Sequence, residues 1–169
     1  MIAVRFLVLT SLVVLAGCGS GNHRLDRRTQ DILANADRVE VFRIDGMLEC
    51  GKEVLATSDR EIGEFPVLAQ GKDQGKEFAN RLGDILSDKQ IHDNHPKCFC
   101  PGIAFRVWRG DDCIDALICF KCDNFYCGPP TKDARKMGNF GGTPLRSRLL
   151  QLTKEAFPED KEIQALEDK

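Results

Sequence analysis

An α+β fold, in which a small antiparallel sheet carries helices on one face, is predicted by three observations. Two β-rich runs, 103–109 and 113–120, flank Gly110-Asp111-Asp112 and form a hairpin. Amphipathic helical patterns fall before, between and after the strands, which tend to come in consecutive pairs. No repeat of 20–50 residues and no low-complexity segment interrupts this order.

Each element has a local reason. Over 25–37, Leu25, Ile32, Leu33 and Ala36 make a modest apolar stripe, which predicts a first helix. Residues 39–44 (Val-Glu-Val-Phe-Arg-Ile) are rich in β-formers and end at Asp45-Gly46, a strand followed by a turn. The polar stretch 45–63 carries no firm pattern. Residues 65–69 predict a short strand, with Pro66 placing it at a strand start or a sheet edge. Phe78, Leu82 and Ile85 at helical spacing, with Leu86 beside them, predict a helix over 75–87. After the central hairpin, Thr143 is the expected cap of a helix with Pro144 at its first position. Leu145, Leu149, Leu152 and Ala156 line one face of it, Pro158 stops it, and 159–166 form a last short helix.

The N-terminus predicts an address. Arg5 precedes a ten-residue apolar stretch, 6–15, broken only by Thr10 and Ser11. That run is too short to cross the roughly 30 Å hydrocarbon core as a helix. Small residues Ala16 and Gly17 then precede Cys18. Leu15-Ala16-Gly17-Cys18 resembles the lipobox of bacterial lipoproteins. The resemblance implies a signal peptide over 1–17, removed by cleavage, and a Cys18 that carries diacylglyceryl and an N-acyl chain such as palmitate. Several acyl chains on one residue make a firm anchor, because each buried methylene contributes about 0.8 kcal/mol. Gly19 follows Cys18 where inner-membrane retention uses Asp, so the pattern implies the outer membrane, facing the periplasm. Residues 18–24 are a lipidated polar tether, and 25–169 are expected to form a single globular domain.

Charge narrows the partners. With 24 Lys+Arg against 26 Asp+Glu, the chain is mildly acidic and has no long basic run, which argues against nucleic acid. Lys132, Arg135, Lys136, Arg146, Arg148 and Lys154 face the single acid Asp133 between Thr131 and Lys154. The expected reading is a solvated helix face, with anionic lipid headgroups as the alternative. The expected partners are therefore the membrane, through Cys18, and a protein or small molecule that the sequence does not name.

The remaining seven of the eight cysteines carry what chemistry there is: Cys50, Cys98, Cys100, Cys113, Cys119, Cys122 and Cys127. Seven is odd, so full pairing within one chain is impossible. A three-residue hairpin turn pairing Arg109 with Cys113 would set Cys100 opposite Cys122 and Ile103 opposite Cys119. Cys98 then lies one strand repeat beyond. Cross-strand positions of that kind are within disulfide reach. An oxidising compartment favours structural disulfides, with Cys100–Cys122 the leading pair and Cys98, Cys119 or Cys127 available for another.

Two alternatives stay open. Cys98-x-Cys100 and Cys119-x2-Cys122 have roughly the cadence of a four-thiolate site for zinc or copper, with His92 and His95 just upstream. Cys119-Phe-Lys-Cys122 is also a Cys-x2-Cys redox motif. Redox thiols of that type sit at helix N-termini, whereas the following Asp-Asn-Phe-Tyr-Cys-Gly-Pro-Pro reads as a turn.

The segment Cys98-Phe-Cys-Pro-Gly-Ile-Ala-Phe-Arg-Val, followed by Leu117-Ile-Cys-Phe-Lys-Cys122, resembles uncharacterised exported bacterial domains. In those, a Cys-Phe-x-Pro segment leads into a hairpin that ends Cys-Phe-x-Cys. The resemblance implies that Cys98, Cys119 and Cys122 belong together, with Cys100 and Cys127 as additions peculiar to this chain. Gly102-Ile103 stands where that pattern has Arg-His, so no role of that histidine carries over.

No catalytic set emerges. Gly-x-Ser-x-Gly, His-Glu-x2-His, a phosphate-binding glycine loop and a dinucleotide fingerprint are missing from the sequence. Asp111-Asp112 is better explained by turn chemistry than by paired catalytic carboxylates. The expected role is non-enzymatic, binding or structural, with no cofactor unless the cysteine cluster holds zinc or copper.

Overall fold

The structure, a computed structural model, describes residues 25–45, 59–93, 99–131 and 135–168. The signal peptide, Cys18, the tether, Cys50, Cys98 and His95 lie outside the described residues. No helix among the described residues is long and apolar enough to cross a membrane.

Helix α1 (Arg27–Ala34) begins at Asp26, whose carboxylate accepts from the Thr29 amide at 3.0 Å and the Thr29 hydroxyl at 2.5 Å. That satisfies an N-terminal donor which would otherwise lack an intrahelical partner. The strands are β1 (Arg38–Ile44), β2 (Glu61–Ile62), β3 (Phe65–Gln70), β4 (Gln74–Gly75), β5 (Ile103–Arg109), β6 (Asp112–Cys119), β7 (Asn124–Gly128) and β8 (Lys136–Asn139). Between them lies α2 (Lys76–Leu86), and after them α3 (Leu145–Ala156) and α4 (Lys161–Gln164). The strands form one antiparallel sheet in the order β2-β3-β1-β5-β6-β7-β8, with β4 also paired to β1, and the sheet curls into a half-barrel.

Strand alternation sorts the side chains into two cores. On one face Val39, Val41, Ile103, Phe105, Val107, Ile114, Ala116, Ile118, Phe125 and Cys127 pack against the helices. Ile32 and Leu33 of α1, Phe78, Leu82 and Ile85 of α2, Leu145, Leu149, Leu152 and Ala156 of α3, and Ile163 of α4 all belong to this cluster. The helices therefore cover one face, as the apolar stripes predict. Each such large side chain contributes about 1.5–3 kcal/mol when taken fully from water. The other face carries a smaller cluster to which no helix among the described residues contributes: Phe42, Ile44, Ile62, Val67, Ala104 and Leu117, with Phe65, Phe99 and Tyr126 against it.

Three expectations are corrected. The hairpin turn has two residues, not three: Arg109 pairs with Asp112, and Ile103 faces Ile118 rather than Cys119. Gly110 has φ +57°, the positive value that suits glycine at the first centre of a tight hairpin turn, so Asp112 joins the strand. Second, the sequence after Cys122 is a turn only as far as Asp123. Residues Asn124–Gly128 form β7, because Phe125 and Cys127 bury on the helix side while Tyr126 points to the other. Gly138 of β8 lies where a Cβ would meet the Phe125 ring at 2.6 Å and Ile91 at 2.7 Å, which lets this short strand approach. Third, Arg146 does not belong to a solvated basic face, since its side chain is only 8% exposed. Helix α3 also starts one residue later than expected, with Thr143 Oγ1 accepting from the Leu145 amide at 3.3 Å.

Candidate functional site

The cysteines separate according to strand alternation. Cys127 sits wholly buried in the helix-side core, where desolvation, with Asp26 and Asp115 adding to it, pushes its thiol far up. Such a thiol is inert at neutral pH. Cys113 lies on the opposite face, beside the buried Arg106–Asp115 pair, and burial raises it too. Neither approaches the cluster that the spacing assembles.

Cys119 and Cys122 bracket the β6–β7 turn and share one site. Cys119 ends β6 on the second sheet face, two residues beyond Leu117, and is completely buried. Its sulfur accepts hydrogen bonds from the Cys122 thiol and from the backbone N–H groups of Cys100, Cys122 and Lys121. The Cys122 thiol is the leading cause that brings the Cys119 thiol down to about 6; burial opposes it, and the three amides reinforce it. Donors that face a sulfur favour its charged form over the thiol. Cys122 is half-buried and forms the outward side of the pair.

The turn is held from several sides. Arg146 of α3 donates to the Phe120 carbonyl at 2.8 Å, to Asp123 Oδ1 at 2.7 Å and to the Glu167 carbonyl at 3.0 Å. Asn124 Nδ2 donates to the Cys122 carbonyl, and Asn139 Nδ2 donates to Asn124 Oδ1 at 3.0 Å. The Asp123 carbonyl accepts from the Phe140 amide at 2.8 Å. Two aromatic anchors complete the frame. Phe120 packs edge-on to Phe140 on the helix side, with centroids 6.2 Å apart, and Phe99 packs edge-on to Tyr126 on the other side, at 4.3 Å. The phenylalanines of the two Cys-Phe segments thus clamp the end of the hairpin from opposite faces.

The expected Cys100–Cys122 bridge is not formed. Cys113, Cys119, Cys122 and Cys127 take no part in disulfides, whereas Cys100 is disulfide-bonded. The changed hairpin register removes the cross-strand opposition on which the pairing rested. The structure does bring Cys100 to Cys119, through its amide rather than its sulfur. His92 is exposed and bridged by backbone hydrogen bonds to Asn139. Among the described residues no three His, Cys, Asp or Glu side chains converge as a metal site. Cys98 and His95, the other members of the predicted set, lie outside the described residues.

Beside this thiol turn, the second sheet face holds a cleft of about 170 Å³ lined by Glu64, Phe65, Phe99, Leu117, Tyr126 and Arg135. Sequence reasoning did not single out Arg135, Tyr126 or the supporting Arg146 as site residues. Only the alternation of β7, read as a strand, would have pointed to Tyr126. No protein-family model matches the chain, and no curated protein and no solved structure matches it either.

Proposed function

We propose that this chain is a lipid-anchored protein of the bacterial cell envelope, held at the outer membrane through Cys18, whose folded domain binds a partner rather than catalyses a reaction. The observation that carries the proposal is Leu15-Ala16-Gly17-Cys18 at the end of a short apolar run. It is supported by a cleft on the second sheet face that is lined by three aromatic residues with one acid and one base. Such a mixture fits a small-molecule or protein ligand. The test is fractionation of cells expressing the chain and its Cys18→Ala variant, with radiolabelled palmitate. The parent should be labelled and sediment with outer membranes, and the variant should be unlabelled and released. An unlabelled parent, or a variant that stays with the membrane, sinks the anchor.

A second reading, a thiol-active or metal-binding envelope protein, is favoured by one specific observation: a thiol and three backbone amides converge on the Cys119 sulfur. It is tested by alkylating the folded protein without reductant. Cys122 should be modified while Cys127 is protected, and a Cys122 that resists alkylation until unfolding removes the reading.

A further inference from the structure

We propose that the cleft on the second sheet face binds a single-ring aromatic monocarboxylate of the benzoate class. Its ring would lie among Phe65, Phe99 and Tyr126 and its carboxylate on Arg135. This rests on the domain being a binding one, as proposed above, and names the ligand of its cleft.

Strands from across the sheet build the cleft. Leu117 of β6, fully buried, lies at its base, Phe65 comes from β3 and Tyr126 from β7, and Phe99 enters just before β5. Arg135 leads into β8, the last strand of the sheet order, yet its guanidinium lies beside the β2–β3 turn at the first. A Cβ on Gly63 in that turn would meet Arg135 Nη1 at 3.1 Å and Leu117 Cδ1 at 3.1 Å. Glycine leaves this space for the cation, and its φ of +73° is one that L side chains rarely adopt.

The cation is fixed before a ligand arrives. Arg135 Nη2 donates to the Pro130 carbonyl at 2.6 Å and Nε to the Pro129 carbonyl at 3.4 Å. Both acceptors are neutral, so the bonds hold the planar fork without cancelling its charge. They leave the Nη1 donors for a ligand, and a guanidinium meets a carboxylate through paired N–H groups.

Size and charge select the ligand. A cleft of about 170 Å³ is close to the roughly 150 Å³ of an apolar cavity that takes benzene, so it suits one ring with a small substituent. Phe65, Phe99 and Tyr126 are each only half-buried, and Phe99 and Tyr126 already meet edge-on at 4.3 Å. A further ring extends that arrangement. The Glu64 carboxylate at the same cleft disfavours a second negative charge, which selects a monoanion over a phosphate ester.

The experiment titrates the full lipidated chain in phosphatidylcholine nanodiscs, followed by saturation-transfer NMR with empty nanodiscs as the blank. Benzoate should bind with a Kd of about 0.1–1 mM, and benzyl alcohol and phenyl phosphate at least about tenfold more weakly. Arg135→Gln should weaken benzoate by about 10–100-fold and leave benzyl alcohol unchanged. Arg135→Lys, which keeps the charge without the planar fork, should fall between, and it keeps the test valid if the Gln variant fails to fold. Tyr126→Ala should weaken benzoate and benzyl alcohol alike. Arg38→Gln, at the start of β1 where Arg38 lies over the Trp108 ring at 4.3 Å, should change neither. Benzyl alcohol that binds as tightly as benzoate, or benzoate binding that survives Arg135→Gln, overturns the assignment. So does tighter binding of phenyl phosphate. If none of the three binds, the ligand class is overturned and the anchored binding domain is left to a protein partner. Palmitate labelling and fractionation test the anchor independently of either result.

Discussion

Cutting the contact between Arg106 and Asp115 offers a sharp test of how the second sheet face is held. Asp115 is completely buried in β6, and Arg106 of β5, directly opposite, is 18% exposed. Two parallel hydrogen bonds join them, Nε to Oδ1 at 2.8 Å and Nη2 to Oδ2 at 3.0 Å. Removing one partner of such a pair strands the other's charge, which costs about 3–5 kcal/mol. The two halves should not cost the same. In Asp115→Val the guanidinium can extend its stem toward water, so a cost near 3 kcal/mol is expected. In Arg106→Met the carboxylate has no exit from the sheet and stays buried without its partner, so the cost lies nearer 5 kcal/mol. The double variant leaves no stranded charge and should return to within about 1 kcal/mol of the parent. Urea unfolding followed by fluorescence of Trp108, the only tryptophan in the chain, reads these differences from the same hairpin. For a domain of this size, each kcal/mol moves the melting temperature by about 2–4 °C. A double variant as unstable as the sum of the singles would refute the reasoning, because the cost would then lie in packing and not in unpaired charge.

Three further outcomes are expected. Arg146→Met removes charge-assisted bonds to the carbonyls of Phe120 and Glu167 and to Asp123, so it should cost about 2–3 kcal/mol in urea melts. It should also quicken alkylation of Cys122, and an unchanged rate would mean that the turn is held by something else. Gly138→Ala drives a methyl into the Phe125 ring and Ile91 and should destabilise by about 1–3 kcal/mol, whereas Gly75→Ala, with open space around it, should not. Asp26 and Asp160 both titrate below the usual carboxylate range. Burial opposes this at both, but Thr29 bonds outweigh it at Asp26, and the Ile163 amide and Arg43 outweigh it at Asp160. A depressed folded pKa adds stability above the unfolded value near 3.9 that is lost as pH falls through the folded one. Melting temperature should therefore drop steeply below about pH 4, and Asp26→Asn should flatten that slope; an identical slope in the variant would remove Asp26 as a cause.

Most of the helices and the first strands were legible because their signals are local. The apolar stripes of α1, α2 and α3 and the β-rich 39–44 and 103–109 need only their own neighbours to be read. β7 and β8 were not legible. Asn124–Gly128 is bounded by turn residues, and Lys136–Asn139 has almost no apolar pattern, so each becomes a strand only by adding to an existing sheet edge. β2 and β4, two residues each, depend on β3 and β1 in the same way. The site was legible in part. The Cys-x2-Cys at 119–122 stands out in sequence, but Arg146, which grips its turn from α3, does not, since 23 residues separate it from Asp123.

Composition and local pattern thus determined the α+β class, the helix faces and the concentration of cysteines around one hairpin, because each depends on contacts within a few residues. Tertiary structure alone decided which cysteines meet. A glycine at φ +57° shortened the hairpin turn by one residue and moved the register of β6 with it. Side chains alternate with period two along a strand, so which cysteine faces which partner depends on register to the residue. That placed Cys127 in the helix-side core, left Cys113 beside a buried ion pair, and set Cys119 among the amides of its own turn and the Cys100 amide from another loop.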